Sequence, residues 1–390
     1  MRKICVVTGT RAEYGLLSRL IGLIHDSAET QLQLIATNMH LSSKYGNTYL
    51  EIEKDGFTID KKIPILEEGN DDANATLKSM SKALSGFADA YDGLKPDMVV
   101  VLGDRYEILA AATAALIERI PTAHIHGGEI TEGAYDDAIR HSITKMSHLH
   151  FTSTEEYRKR VIQLGEQPDR VFYVGALGVE NVKKIPMLSK EEIQDNLGFE
   201  INDKTILVTY HPVTLGPSSM KKDIDAFISA LESRRDIRVV FTMPNSDTGS
   251  KVIVEAINQF VKKNPYRAIA FKSLGLKRYL SAMKYCAAIV GNSSSGILEV
   301  PSFGVPTLNI GDRQKGRIMA DSIYNCTPDY DSVLAGLDMV LSEDFQKKAA
   351  KTYNPYDKEG TANSIFEVIK NYPLEQLKQK HFYDLSCFHT

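Results

Sequence analysis

The sequence predicts an α/β protein of two doubly wound domains, with its ligand cleft between them. Three observations carry that prediction. Short apolar runs alternate with helix-periodic stretches along most of the 390 residues. A polar, lysine-rich passage interrupts the rhythm, which then resumes. The chemically informative residues stand just after the apolar runs. Runs without polar alternation are what parallel strands covered on both faces require. Doubly wound sheets bind ligands beyond the carboxyl ends of their strands. A chain of this length is long for one core and comfortable for two.

Residues 4–7 read as a buried strand, broken by Thr8-Gly9-Thr10, with a helical pattern following over 14–25. Strands are expected at 31–36, 98–102, 121–125, 150–152 and 171–174, with helices at 108–119 and 135–146. The passage 181–203 contains Pro186 and little apolar periodicity near its start, so it is read as a linker between domains at 1–180 and 204–362. Beyond it, strands are expected at 205–209, 237–242, 268–271, 287–290 and 306–310. Helices are expected at 219–233, 250–263, 277–284, 332–341 and 362–380.

Bulk composition narrows the function. Hydrophobic residues make up 43% and charged residues 25% of the chain, ordinary globular values. The net charge of −4 and the lack of a basic tract disfavour a nucleic-acid partner. Cys5, Cys286, Cys326 and Cys387 show no CxxC spacing, so neither a zinc site nor a disulfide framework is expected. No apolar run approaches the roughly 18 residues of a membrane span. The start lacks a signal-peptide pattern, so a cytoplasmic protein is expected.

The strand ends carry the chemistry. Gly9-Thr10-Arg11 is a glycine turn opening a helix, offering amide N–H groups, a positive dipole end and a guanidinium to an anion. It is not GxGxxG, so a dinucleotide cofactor is not implied. Gly103-Asp104-Arg105 puts a charged pair after a strand, either facing a site or forming a structural ion pair. His124-Ile125-His126-Gly127-Gly128-Glu129 is followed by Asp136-Asp137 and Arg140-His141, which pair at i,i+4 if 135–146 is helical. Two histidines alternating along a strand point to opposite faces, so HIH is not read as a metal site. In the second half, His211 stands at a strand end before Pro212. Pro244-Asn245-Ser246-Asp247 ends the next strand, and Ser293-Ser294-Ser295 precedes a helix carrying Glu299. Consecutive serines there supply hydroxyl and amide donors suited to a phosphate. Gly311-Asp312-Arg313-Gln314-Lys315-Gly316-Arg317 adds two arginines. Together these residues fit a diphosphate ligand with acid–base chemistry beside it.

The segments TGTRAEYG, YGNTYLEIEKDGF, LGDRYE, HGGE, DDAIRHSITKMSHLHF, HPVT, PNSDTGS, GNSSSGILEVPSFG and GDRQKGR span nearly the whole chain in order. In them the sequence resembles the hydrolysing UDP-N-acetylglucosamine 2-epimerases, which start sialic and related nonulosonic acid synthesis. The resemblance implies a GT-B-like fold of two Rossmann-like domains, with a C-terminal helix at 363–380 packing back toward the first. It implies a homodimer or homotetramer and no cofactor. Arg11 and Arg105 would face the nucleotide-sugar and its phosphates. Ser293 and Ser294 would hold the diphosphate and Glu299 the ribose hydroxyls, with Asn245 and Arg313 making further contacts. Asp104, Glu129, Asp136 and His211 match catalytic positions. Some relatives carry Glu where His126 stands, so the carboxylate role in HIHGGE falls to Glu129 or passes to His126.

The reaction so implied is anti elimination of UDP to a 2-acetamidoglucal, then water addition, giving UDP and free N-acetylmannosamine. The same reaction on a 2,4-diacetamido-2,4,6-trideoxy analogue is an alternative. Others are a non-hydrolysing 2-epimerase, a GT-B glycosyltransferase, and a UDP-sugar sensor without turnover.

Overall fold

The computed structural model describes residues 1–67, 72–132, 134–213, 220–244 and 249–385. The chain divides into two compact units, each built on one parallel sheet. The first unit holds Met1–Glu129, Asp136–Glu180 and Lys358–Thr390, and the second Ile130–Tyr135 and Asn181–Asp357.

In the first unit, strands β1 (Arg2–Thr8), β2 (Thr30–Thr37), β3 (Lys61–Ile63), β4 (Met98–Leu102), β5 (Thr122–Ile125), β6 (Leu149–Thr152) and β7 (Val171–Tyr173) lie in the order β3-β2-β1-β4-β5-β6-β7. β4 is buried along its whole length, as a strand covered on both faces must be. One face packs against Leu17, Leu20, Ile21 and Ile24 of the helix Arg11–Asp26, the other against Phe87 and Tyr91 of Ala73–Leu94. Ala362, Ile365 and Ile369 of the helix Thr361–Asn371 join the first of these cores. That helix stops short of residue 380, because Pro373 cannot continue it.

In the second unit, β8 (Thr205–Thr209), β9 (Arg238–Thr242), β10 (Ala268–Phe271), β11 (Ala288–Gly291), β12 (Thr307–Ile310) and β13 (Ile323–Cys326) lie in the order β10-β9-β8-β11-β12-β13. Both sheets are thus doubly wound α/β, as the sequence predicts. In each, the strand order reverses between the first strand and the fourth, opening a crevice at the ends of β1 and β4 and of β8 and β11.

Two boundaries differ from the sequence reading. The passage 181–203 is folded rather than linking. The helix Lys190–Leu197 has a Ser189–Glu192 capping box, and Ile193, Leu197, Phe199 and Ile201 are buried in the second unit's core. Residues 130–135 sit with the second unit: Glu132 N–H donates to Lys315 O at 3.3 Å, and Gly316 lies against Ile130. β3, β13 and the helix Ala73–Leu94 were not expected from sequence.

Candidate active site

At the crevice of the first sheet, Asp104 follows β4 and Glu129 follows β5. The two are joined by Arg140, from the second turn of the helix Asp136–Met146. The Arg140 guanidinium is only 2% exposed; it donates to Asp104 Oδ2 and, at 3.3 Å, to Glu129 Oε2, and also binds the His126 carbonyl at 3.1 Å. Glu129, 1% exposed, accepts a second bond from Ser153 Oγ at 2.9 Å and lies 3.5 Å from His126 Nδ1. His126 and Glu129 therefore share one cluster. The Asp104 side chain keeps 20% exposure, which makes it the more accessible carboxylate. Asp136 opens the same helix, and Asp137 pairs with His141 at 3.6 Å, as their spacing predicts.

Local backbone shape allows this packing. His126 takes a left-handed φ of 66° just past β5, which turns it away from simple strand alternation. A Cβ on Gly128 would lie 2.5 Å from the Tyr157 carbonyl, so this position has to be glycine. His124 is a structural residue. It is fully buried, 2.8 Å from Gly103 O and 3.2 Å from Thr144 Oγ1, and burial pushes it down to about 3, so it is neutral.

The β1 turn does not offer its amides to a ligand. Glu13 Oε2 accepts the N–H of Gly9 at 2.7 Å and of Thr10 at 3.3 Å, closing a capping box with Thr10. The expected anion site at these amides is therefore filled by the chain's own carboxylate. Arg11, at the first helical position, and Arg105 remain as the cationic groups of that crevice. Arg105 Nε is 2.8 Å from Glu107 Oε1, so both charged residues of Gly103-Asp104-Arg105 stand in ion pairs, though not with each other.

The crevice of the second sheet is assembled on Asn292. Its side chain accepts from His211 N–H at 2.6 Å and donates to His211 O at 2.8 Å, while its own carbonyl accepts from Gln314 Nε2 at 2.8 Å and Arg313 at 3.3 Å. One asparagine thus fastens the ends of β8, β11 and β12. Gly291, at φ 132°, permits this, because a Cβ there would lie 2.0 Å from Thr209 O. Ser295 Oγ is 3.0 Å from Ser293 Oγ and 2.8 Å from Tyr279 OH, which also reaches Thr209 Oγ1 at 3.3 Å. The helix after the serines, Ser295–Leu298, is a single turn with the buried Glu299 at its end. Hydroxyls and local amides, not a long helix dipole, are what this loop can offer an anion. Asn245 lies outside the described residues.

Sequence reasoning passed over Asn292, Gln314, Tyr279, Ser153, Glu13 and Glu107, although the first two and the last two lie inside the motifs quoted above.

The chain matches the family model of UDP-N-acetylglucosamine 2-epimerase over residues 23–370. It belongs to that family. A Campylobacter jejuni relative named GDP/UDP-N,N'-diacetylbacillosamine 2-epimerase (hydrolyzing) is 45% identical, covering 98% of this chain and 99% of its own. The Escherichia coli polysialic acid biosynthesis protein P7 is 41% identical, over 99% and 98%. The crystal structure of UDP-GlcNAc 2-epimerase from Neisseria meningitidis bound to UDP-GlcNAc superposes with a TM-score of 0.78 at 19% identity, covering 94% of this chain and 99% of the other. At that identity the likeness concerns the fold, which is the GT-B-like pair of Rossmann-like domains the motifs imply. Among the described residues, no helix is long and apolar enough to cross a membrane.

Proposed function

We propose that this epimerase-family member is the hydrolysing kind, converting UDP-N-acetylglucosamine and water to UDP and N-acetylmannosamine. The observation that carries the reading is the cluster of Asp104, Glu129 and His126 around one buried arginine at the first crevice. The proton on C2 has no adjacent carbonyl, so it leaves only as the C1–O bond breaks. A base takes the proton, the C2–H electrons form the C1–C2 double bond, and the C1–O pair departs with UDP. Water then adds its hydroxyl at C1, and a proton reaches C2 with inverted configuration. Each proton transfer needs a positioned acid or base, a contribution of roughly 10²–10⁴ in rate.

Asp104 and Asp136 serve as the proton-transferring carboxylates. Glu129, sealed between Arg140, Ser153 and His126, orients that arginine and histidine. Arg11 and Arg105 meet the phosphates from the first unit. Ser293, Ser294, Arg313 and His211 hold UDP and stabilise the charge on it as it leaves, while Glu299 meets the ribose and Asn245 the nucleotide-sugar. The chemistry calls for neither a dinucleotide nor a metal.

A second reading keeps the reaction and changes the sugar to the 2,4-diacetamido-2,4,6-trideoxy analogue, favoured by the name of the Campylobacter relative. The test incubates the chain with each UDP-sugar in deuterated water and follows products by NMR. Free manno-configured sugar with deuterium at C2, plus UDP, is the expected result. Epimerised UDP-sugar, or transfer to an acceptor, contradicts it.

A further inference from the structure

Beneath the first crevice lie two buried carboxyl groups that the catalytic reading leaves unused. Glu13, 6% exposed, and Glu107, fully buried, flank Arg105, whose Nε is 2.8 Å from Glu107 Oε1 and 3.9 Å from Glu13 Oε1. Glu107 packs directly under the β1 turn: a Cβ on Gly9 would lie 2.4 Å from its Oε1. Among the described residues, Glu13 Oε1 and Glu107 Oε2 are buried with no hydrogen-bond partner. Two buried carboxylates and one guanidinium carry a net negative charge if both acids ionise, and neither leftover oxygen has a donor to satisfy it. One retained proton removes the excess charge and supplies a donor.

We propose that Glu13 keeps its proton at neutral pH and, with Glu107, acts as a positioning pair for Arg105, setting the alkaline limit for binding of an anionic substrate. Glu107 fixes the guanidinium through Nε, and the Glu13 proton offsets the excess charge of the trio. Losing the proton leaves a negative charge beside the arginine that meets the substrate phosphates, a role taken from the function proposed above. Burial, then the Glu107 charge, pushes Glu13 up to about 8, against Arg105 and the Gly9 and Thr10 amides. The two histidines facing this region keep one charge state through that range. His40, after β2, is pushed by burial down to about 4, and His124, on β5, down to about 3, so both are neutral. Arg11 stays cationic, and Asp104 is held by Arg140.

Carbon-13 NMR of the chain labelled at its glutamate carboxyls reads the pair directly, without substrate. The expected result is a carboxyl resonance titrating near pH 8, missing in Glu13→Gln and shifted to lower pH in Glu107→Gln, which removes the neighbouring charge. In parallel, the Kd for UDP, by calorimetry, is expected to weaken about tenfold from pH 7 to 9 in the parent chain, as a single site near 8 dictates. It should weaken less than about twofold in either variant. No glutamate titrating above pH 7 overturns the retained proton on Glu13. A titration without the loss of UDP affinity, or the same loss in both variants, overturns the role toward Arg105. Absence of turnover with either UDP-sugar counts against the hydrolysing reading instead, and leaves the carboxyl titration to be judged by itself.

Discussion

The crevices of the two sheets occupy equivalent places in equivalent strand orders, yet they are built from opposite chemistry. At the first, the polar groups are charged and paired: Asp104 and Glu129 on Arg140, Glu13 and Glu107 around Arg105. At the second, apart from Arg313, Glu299 and His211, they are amides and hydroxyls in two runs: Gln314 with Asn292, and Ser293, Ser295, Tyr279 and Thr209 in series. Carboxylates can move protons but repel a diphosphate; hydroxyls and amides do the reverse. The difference teaches that topology selects where a site forms, while side-chain chemistry decides which step each site performs.

The largest effect expected is from breaking the first network. Arg140→Met leaves Glu129 buried without its cation, which typically costs about 3–5 kcal/mol of stability. Urea unfolding followed by a probe in the first unit should report it, and an unchanged midpoint would mean that Arg140 is dispensable there. Next comes Asn292→Ala, which removes both side-chain bonds to His211 and leaves the main-chain carbonyl to which Gln314 and Arg313 donate. It should weaken UDP binding by about tenfold or more, since each buried hydrogen bond left unmade costs about 1–3 kcal/mol. Calorimetric titration with UDP measures it; wild-type affinity would show that His211 and the end of β8 hold their place without the asparagine side chain.

The smallest effect is a pH slope, and it belongs to the first unit alone. Glu13 is raised from the ordinary 4.5 to about 8, so its contribution to stability is full below 4.5 and is lost as pH rises through about 8. His40, His124 and His148 are lowered to about 4, 3 and 4; they act in the other direction, costing stability only as pH falls below 6.5. Between pH 6.5 and 7 the slope is therefore due to Glu13; nearer pH 8, Lys380, which burial lowers from 10.5 to about 8, adds an opposing rise. Denaturant midpoints should fall across the lower window in the parent chain and stay level in Glu13→Gln. A level midpoint in the parent chain contradicts the raised carboxyl.

How much of this was legible in sequence follows from where residues sit. The central strands are apolar along their length and announce themselves; β4 and β8 are examples. β3 and β13 lie at sheet edges and carry Lys61, Lys62 and Asn325, so no apolar run marks them. The helix Ala73–Leu94 buries Ala75, Ser79, Ala83, Phe87 and Ala90, a stripe of mostly small residues that hydropathy barely registers. At the sites, residue types at strand ends were readable, but their partners were not. Arg140 is four residues from Asp136, yet it also reaches back to Asp104 and Glu129. Asn292 meets His211 from 81 positions away. The Glu13 capping box was local and readable in principle, and it removes the β1 amides from the anion site.

The division of labour is tested most directly by Asp104→Asn, assayed for two properties at once. The account predicts turnover lower by roughly 10²–10⁴, with the Kd for UDP held within about threefold of the parent chain. Turnover close to the parent's, or loss of UDP binding along with turnover, would contradict the assignment of proton transfer to the first crevice and of the UDP-holding hydroxyls and amides to the second.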